Sequence, residues 1–513
     1  MRNVPSPENL TLRVEDFGPI IEAEIDLRPL TVFAGPSNTG KSWLAILIYA
    51  LHRHFDNQEI VPNKASRKKI DKNQCKRILE EFIEWVSSFE RILKEKNDGE
   101  KIEVHLPPII KKEILKYIEQ SGEGIVNQVC RSLGVEYQGK LIRKSKTGSN
   151  ISIDITRKID DSKLITQSLK FSTGSHELKI KIPDVVYFFK STLTFMAEEI
   201  AEDIREVIHR KSDPEKYQDR LLWKYYYMIS FMTNQCIDSW FSPLGDSAFY
   251  FSADRAGVMH AHRTIVSAIV GNAASAGIQQ ATASTAQLSG VMADFLQHLI
   301  DIDSNSYPSE LRHTIENHGI EIEKNIVGGK ISVERSPLIG YPEFTYQPTG
   351  WKTPLSLNNA SSMVSEIAPI VLFLRYKVMN GNTLIIEEPE AHLHPKMQVE
   401  FTQQLAALVQ SGVRVILTTH SEWILQTIAN MVCASDLTDK QRANITTAKI
   451  ALDEKQVGVW LFKQKKSPKG SVVKEMPLDK EIGFYESDYD SVTEELYGDN
   501  TSIYNEIQRG LST

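Results

Sequence analysis

Residues 35–42 read Gly-Pro-Ser-Asn-Thr-Gly-Lys-Ser, preceded by the apolar run Leu30-Thr31-Val32-Phe33-Ala34 and followed by an apolar stretch from Trp43. A G-x-x-x-x-G-K-S string in that setting demands a strand, a tight loop and a helix in direct succession. Glycine at positions 35 and 40 lets the backbone curl, so that successive N–H groups and the helix N-terminus converge on one polyphosphate. The expected nucleotide contacts are therefore Gly35, Pro36, Ser37, Asn38, Thr39, Gly40, Lys41 and Ser42. In this pattern the lysine, Lys41, reaches the β- and γ-phosphates of ATP, and the Ser42 hydroxyl ligates Mg²⁺.

Two further apolar runs end in reactive side chains. Leu384-Ile385-Ile386 leads into Glu387-Glu388, an apolar strand terminating in two carboxylates. Nucleotide-binding α/β sheets present their chemistry at such strand ends. Glu387 is expected to hold Mg²⁺, directly or through water, and Glu388 to orient or deprotonate the attacking water. About thirty residues on, Val413-Arg414-Val415-Ile416-Leu417-Thr418-Thr419 delivers His420 into Ser421, an expected N-cap for a helix over 422–431. His420 is thereby a candidate sensor of the γ-phosphate.

At 513 residues the chain exceeds what one hydrophobic core usually serves, so two or more lobes are expected. Alternation over 10–27, broken at Phe17-Gly18-Pro19, predicts a hairpin before the strand that enters the phosphate loop. From about 56 a long charged insertion begins, with helices over 67–98, 107–133 and 184–241 around short strands over 138–183. The reading is four segments: 1–55 with the phosphate loop, an inserted α+β lobe at 56–245, a return to the head at 246–465, and an acidic tail at 466–513. Core-like residues resume at Ala248-Phe249-Tyr250-Phe251-Ser252-Ala253-Asp254-Arg255, and an Ala/Ser-rich stretch at 264–292 suits either a tightly packed helix or a mobile segment. A strand pair is expected between 327 and 346.

Composition narrows the partners. The longest nearly apolar stretches, 43–51 and 367–374, fall short of the roughly 18 residues of a membrane span, so no membrane contact is expected. Pro5, Pro7 and Glu8 stand where a secretory signal would carry its apolar core, which predicts a cytoplasmic protein. Cys75, Cys130, Cys236 and Cys433 form no C-x-x-C pair and are expected to be buried thiols. A net charge of −7 supplies no global pull toward nucleic acid, so a DNA ligand would need local patches. Two candidates are the cluster Lys64, Arg67, Lys68, Lys69, Lys72, Lys76 and Arg77, and the segment 138–184 with ten Lys/Arg against five Asp/Glu.

The phosphate loop, the string Glu387-Glu388-Pro389-Glu390-Ala391-His392-Leu393-His394-Pro395 and Thr418-Thr419-His420-Ser421 together resemble the ABC-type ATPase heads of the SMC/RecF and OLD (overcoming lysogenization defect) group. The resemblance covers about residues 8–55 and 245–465. It implies an α/β fold, a mixed sheet flanked by helices, with ATP and Mg²⁺ as cofactors. It also implies a nucleotide sandwiched between two subunits, with a signature helix of one head touching the γ-phosphate held by the other. The matching residues are Ser361 and Ser362 in Asn358-Asn359-Ala360-Ser361-Ser362-Met363-Val364-Ser365-Glu366, where Met363 replaces the usual glycine. Glu387 likewise replaces the usual aspartate, which favours a water-bridged metal. Asp254 and Arg255 are placed by the resemblance near the nucleotide or the interface between heads, with a strand-end ion pair as the plainer alternative.

The OLD-type nucleases continue into a Toprim domain; with roughly 90 residues after His420, none is expected here. Glu486, Asp488 and Asp490 with Tyr485 and Tyr489 have no apolar strand before them and read as a solvated, partner-facing tail. The chain thus resembles stand-alone ATPase subunits of prokaryotic anti-phage systems, the AriA-like subunit of PARIS and the PtuA-like subunit of Septu. The expected function is an ATP-hydrolysing sensor and scaffold that dimerises head to head, or assembles further, and controls a separately encoded effector such as a nuclease. A phage protein or DNA is a candidate ligand, and the sequence leaves the trigger open. The alternative is a RecF/SMC-like DNA-repair ATPase.

Overall fold

A computed structural model of the chain describes residues 9–56, 101–143, 150–160, 163–181, 185–191, 247–262, 288–302, 313–335, 342–481, 483–484 and 497–504. It also describes scattered positions between 81 and 93, at 193–194, between 229 and 244, and at 264. The basic cluster at 64–77, the interior of the Ala/Ser-rich stretch and the acidic residues at 485–490 lie outside the described residues.

The N-terminal hairpin expected from the alternation is β1 (Leu10–Phe17) and β2 (Ile20–Leu27), paired antiparallel from Leu10↔Leu27 to Phe17↔Ile20. Strand β3 (Leu30–Ala34) is buried throughout and runs into α1 (Lys41–Asp56). Helix α1 ends on Arg53 and His54, cationic or polar groups suited to the negative end of its dipole.

The next segment departs from the expected separate lobe. Strand β4 (Lys101–His105) precedes α2 (Pro108–Gln120) and α3 (Gly122–Leu133), and then come β5 (Ile151–Asp160), β6 (Lys163–Ser172) and β7 (Ser175–Lys181). Strand β5 pairs antiparallel with β1 (Leu12↔Ile155, Val14↔Ile153), so these three strands extend the sheet of the head itself. Period-two burial shows why: Ile151, Ile153, Ile155, Ile165, Leu169 and Phe171 share one apolar cluster with Leu12, Val14, Leu44 and Ile48. Strand β8 (Val185–Phe189) replaces the helix expected to begin at 184 and pairs with β4; Val-Val-Tyr-Phe-Phe is β-branched and aromatic, a run that favours a pleat over a helix.

Strand β9 (Ala248–Phe251) is followed by a helix over 255–262, then α4 (Gly290–Ile300) and α5 (His313–Ile322). The strand pair expected between 327 and 346 is β10 (Gly329–Arg335) with β11 (Pro342–Pro348), joined by the short β12 (Leu355–Ser356). Helix α6 (Ser362–Tyr376) continues through Pro369. After it come β13 (Thr383–Glu387), α7 (Pro395–Gln410), β14 (Arg414–Thr419), α8 (Glu422–Cys433), β15 (Val457–Lys465) and β16 (Gly470–Glu475), with a two-stranded pair β17 (Leu478–Asp479) and β18 (Gly483–Phe484) at the end.

Among the described residues the main sheet has eleven strands in the order β7-β6-β5-β1-β2-β16-β15-β3-β14-β13-β9. One half is antiparallel; the other, β15-β3-β14-β13-β9, is parallel and buried between helices, as parallel sheets require. The fold class expected from sequence, α/β with a mixed sheet flanked by helices, is the one observed. The tail expected from 466 is corrected at its start: β16 lies inside the sheet, parallel to β2 and antiparallel to β15, and so joins the two halves. Ser471 and Val473 are buried while Lys474 and Glu475 face solvent, an alternation hidden in the sequence by flanking lysines.

Candidate functional site

Strand register brings the sequence motifs together. Ala34 at the end of β3 lies beside Thr419 at the end of β14, and Thr418 lies beside Glu387 at the end of β13. Ile386 in turn lies beside Phe251 at the end of β9. The phosphate loop, His420, the Glu387-Glu388 pair and the turn at Ser252–Asp254 therefore leave the sheet at one edge, the carboxyl ends of four neighbouring parallel strands. That edge is where open α/β sheets place ligands.

The loop has the backbone its sequence requires. Gly35 and Gly40 have φ of 126° and 99°, and Asn38 is left-handed at 61°. A Cβ on Gly35 would come within 2.6 Å of the Phe462 carbonyl oxygen, so no larger residue fits there. Pro36, Ser37, Asn38 and Ser42 are exposed, and Gly35, Thr39, Gly40 and Lys41 are buried. The Lys41 ammonium donates to the carbonyls of Gly35 and Pro36, both at 2.8 Å. Burial lowers its pKa from 10.5 to about 8, against the opposing pull of Glu388, Glu390 and Glu387.

The two acids play different parts. Glu387 is buried; one oxygen accepts from the Ala253 N–H at 3.1 Å, and the other, Oε1, makes no hydrogen bond of good geometry, with the buried Tyr250 hydroxyl as the protein donor that interacts with this carboxylate. An orphaned buried carboxylate oxygen is costly unless a cation or donor completes it. With the exposed Ser42 hydroxyl it makes an all-oxygen donor set suited to Mg²⁺. Glu388 is 46% exposed and left-handed at φ 42°, with its N–H bound to the Thr418 carbonyl at 2.9 Å. This conformation turns it away from the strand and toward His420, whose Nε2 lies 3.8 Å from Glu388 Oε1. Burial and the Lys41 charge lower the His420 pKa, while Glu388 pulls the other way, and the net effect favours the neutral imidazole.

Glu390, quoted in the acidic string without a role of its own, holds the histidine. Its Oε1 accepts from the His420 N–H at 2.6 Å and from the Thr419 hydroxyl at 2.8 Å. Its sequence position carried no sign of this, because the contact exists only once β13 and β14 are neighbours.

Arg255 is placed differently from the expectation that it lies against nucleotide or at a head interface: it is 0% exposed and turned inward. Its Nη1 donates to the carbonyls of Glu387 (2.7 Å) and Ser252 (3.1 Å), its Nη2 to that of Glu388 (3.3 Å), and its Nε to that of Glu366 (3.0 Å). Arg255 forms an ion pair not with the neighbouring Asp254 but with Glu366, whose Oε2 lies 2.9 Å from Nε. Ser361 caps α6 by accepting from the Val364 N–H at 3.4 Å, and Ser361 and Ser362 are both exposed, leaving the start of that helix open to solvent.

Three cations in the described part of the basic segment are paired. Arg143 is buried against Asp16, Lys140 pairs with Glu136 and Lys179 with Glu177. Among the described residues Cys130 and Cys236 are buried and Cys433 is half-buried, none of them in a disulfide, and no helix is long and apolar enough to cross a membrane.

A family model described as an AAA ATPase domain matches residues 11–425. Over 105 residues the chain is 30% identical to the energy-coupling factor transporter ATP-binding protein EcfA2 of Lactococcus lactis subsp. cremoris (strain MG1363); the stretch is 20% of this chain and spans 32% of that relative's length. Similar solved structures include an SMC head bound to the C-winged helix domain of ScpA (TM-score 0.39, 10% identity, 93% of this chain and 99% of that one). Another is the SMC head domain from Thermotoga maritima (TM-score 0.34, 10% identity, 92% of this chain and 100% of that one).

Proposed function

The chain belongs to the AAA ATPase domain family, and from that membership we propose that it binds and hydrolyses ATP as an ABC-type head that closes on a second copy of itself. The observation carrying this reading is the row formed by the phosphate loop, His420 and Glu388 at the ends of three adjacent parallel strands. In the reaction, Lys41 exchanges the carbonyls of Gly35 and Pro36 for the β- and γ-phosphates. Glu388 takes the proton of the attacking water, and neutral His420 donates its ring N–H to the γ-phosphate. Mg²⁺, held by Ser42 and Glu387, would neutralise charge on the phosphate oxygens. The exposed start of α6, with Ser361 and Ser362, is the surface offered to a nucleotide on the second copy.

What the closed pair governs is, in this reading, a separately encoded effector, a nuclease, within an anti-phage defence system in the cytoplasm. Support comes from the string Glu387 to Pro395 and from Thr418 to Ser421, which resemble the SMC/RecF and OLD group, and from the N-terminal hairpin and the segment Phe251 to Gly257, which resemble its OLD-type prokaryotic branch. The test has two arms. Glu388→Gln should bind ATP and accumulate as a dimer or larger assembly by light scattering with MgATP, while Lys41→Ala should not bind; a monomeric Glu388→Gln protein at saturating MgATP rejects the sandwich. Plaque counts on cells expressing the chain with its flanking genes should drop at least tenfold and recover with Lys41→Ala; equal counts reject the defence role.

A further inference from the structure

A fully buried guanidinium is costly unless its donors are matched, and in Arg255 every nitrogen has an acceptor. The choice of acceptors is informative. One face of the fork takes the consecutive carbonyls of Glu387 and Glu388, at 2.7 and 3.3 Å. Those two peptides form the turn that presents Glu388, whose left-handed backbone is strained for a residue with a side chain. On its other side the turn is tied to β14 through the Glu388 N–H and the Thr418 carbonyl at 2.9 Å. The turn is thus pinned between β14 and Arg255.

Arg255 is itself pinned by α6. Its Nε donates to the backbone carbonyl of Glu366, and the buried Glu366 carboxylate stands 2.9 Å from the same nitrogen as an ion pair, its Oε2 accepting no hydrogen bond. Glu366 lies within the first two turns of α6, just after the exposed cap at Ser361. A rigid path therefore runs from the start of α6 through Glu366 and Arg255 to the peptide that aims Glu388, entirely within one chain.

We propose that Arg255 and Glu366 are positioning residues for hydrolysis: the planar fork of Arg255, oriented by Glu366, sets the direction in which Glu388 points, so a shift of α6 re-aims the acid. This rests on Glu388 acting on water, as proposed above, and not on the pairing of two heads. A lysine cannot replace the arginine, because a single ammonium cannot hold two carbonyls and a carboxylate in one plane.

The test uses the full-length chain with Glu366→Gln and Arg255→Lys, read by thermal midpoint, affinity for a fluorescent (mant) ATP, and turnover. Nucleotide affinity should stay within about twofold and kcat should fall at least tenfold. The decisive readout is a cycle with Glu388→Gln in single turnover. If Glu366 works only by aiming Glu388, adding Glu366→Gln to Glu388→Gln costs nothing further, whereas an independent structural role multiplies the two losses. Multiplied losses, a parallel loss of mant-ATP affinity, or unchanged kcat in Glu366→Gln each overturn the proposal. Should Arg255→Lys fail to fold, Glu366→Gln alone decides. A wild-type chain that binds mant-ATP without turnover sinks the hydrolytic reading along with this one, while wild-type turnover that ignores Glu366→Gln sinks this one alone.

Discussion

At the scale of single residues, the site is defined by charges whose protonation the fold has moved. Lys41, brought to about 8 by burial, is half neutral near that pH. A polyphosphate restores its full charge, so ATP binding at pH 8 should take up as much as about half a proton per site. Calorimetry in buffers of different ionisation heat measures this directly; the uptake should shrink as pH is lowered toward 7, where Lys41 is already mostly charged. His420 is lowered from its ordinary value, first by burial and then by Lys41, with Glu388 opposing. The neutral form therefore prevails above the lowered value, and the folded state loses stability as pH falls below about 6.5, where the unfolded histidine takes up its proton first. Protonated, His420 would draw Glu388 into an ion pair across the 3.8 Å between them and deprive the water of its base. Turnover should accordingly decline on an acid limb lying below 6.5, seen in a kcat profile against pH, and that limb should vanish in His420→Asn. Glu390→Ala leaves the His420 N–H and the Thr419 hydroxyl without their acceptor, at a cost of about 1–3 kcal/mol by denaturant titration.

Among elements, the position of α1 decides how firmly the phosphate loop is held, and α1 is fixed from behind by one carboxylate. Asp294 on α4 accepts from Tyr49 of α1 at 2.9 Å and from Arg131 of α3 at 2.6 and 3.0 Å, with Arg53 of α1 at 3.3 Å. Burial raises its pKa, but the hydrogen bond from Arg131 and the charges of Arg53 and Arg131 outweigh this, and the net direction is down. The stability it contributes is whole above the ordinary carboxylate range and is lost as pH falls through the lowered value. Asp294→Asn leaves two cations facing a neutral amide, and thermal or denaturant unfolding should register a loss of about 3 kcal/mol. Helix α6 shows how far local sequence reaches. Ser361 as a cap was legible from Ser-Ser before an apolar run, whereas the link from Glu366 to Arg255 joins positions 111 residues apart and has no local signature.

For the whole molecule, the instructive feature is that the segment between the phosphate loop and β9 helps to build the sheet. Ile153 and Phe171 on the added strands are buried in the same cluster as Leu44 and Ile48 of α1. Ile153→Ala should therefore cost about 2–5 kcal/mol and shift the calorimetric transition of the ATPase half, not a separate one. Two resolved transitions, with only the smaller moved by the substitution, would mean that the added strands fold independently.

Read alone, the chain determined what short-range chemistry can dictate. The glycines that free a loop, the apolar runs that end in acid or imidazole and the serines that cap helices all act within a few residues, because steric limits and hydrogen bonds are local. The tertiary structure decided which strand ends stand side by side, and with that the partnership of Glu390 with His420 and the inward turn of Arg255. It also decided that β5–β7 and β16 enter the main sheet, since alternating strands pair with whichever edge covers their apolar face, and that edge lies more than a hundred residues away.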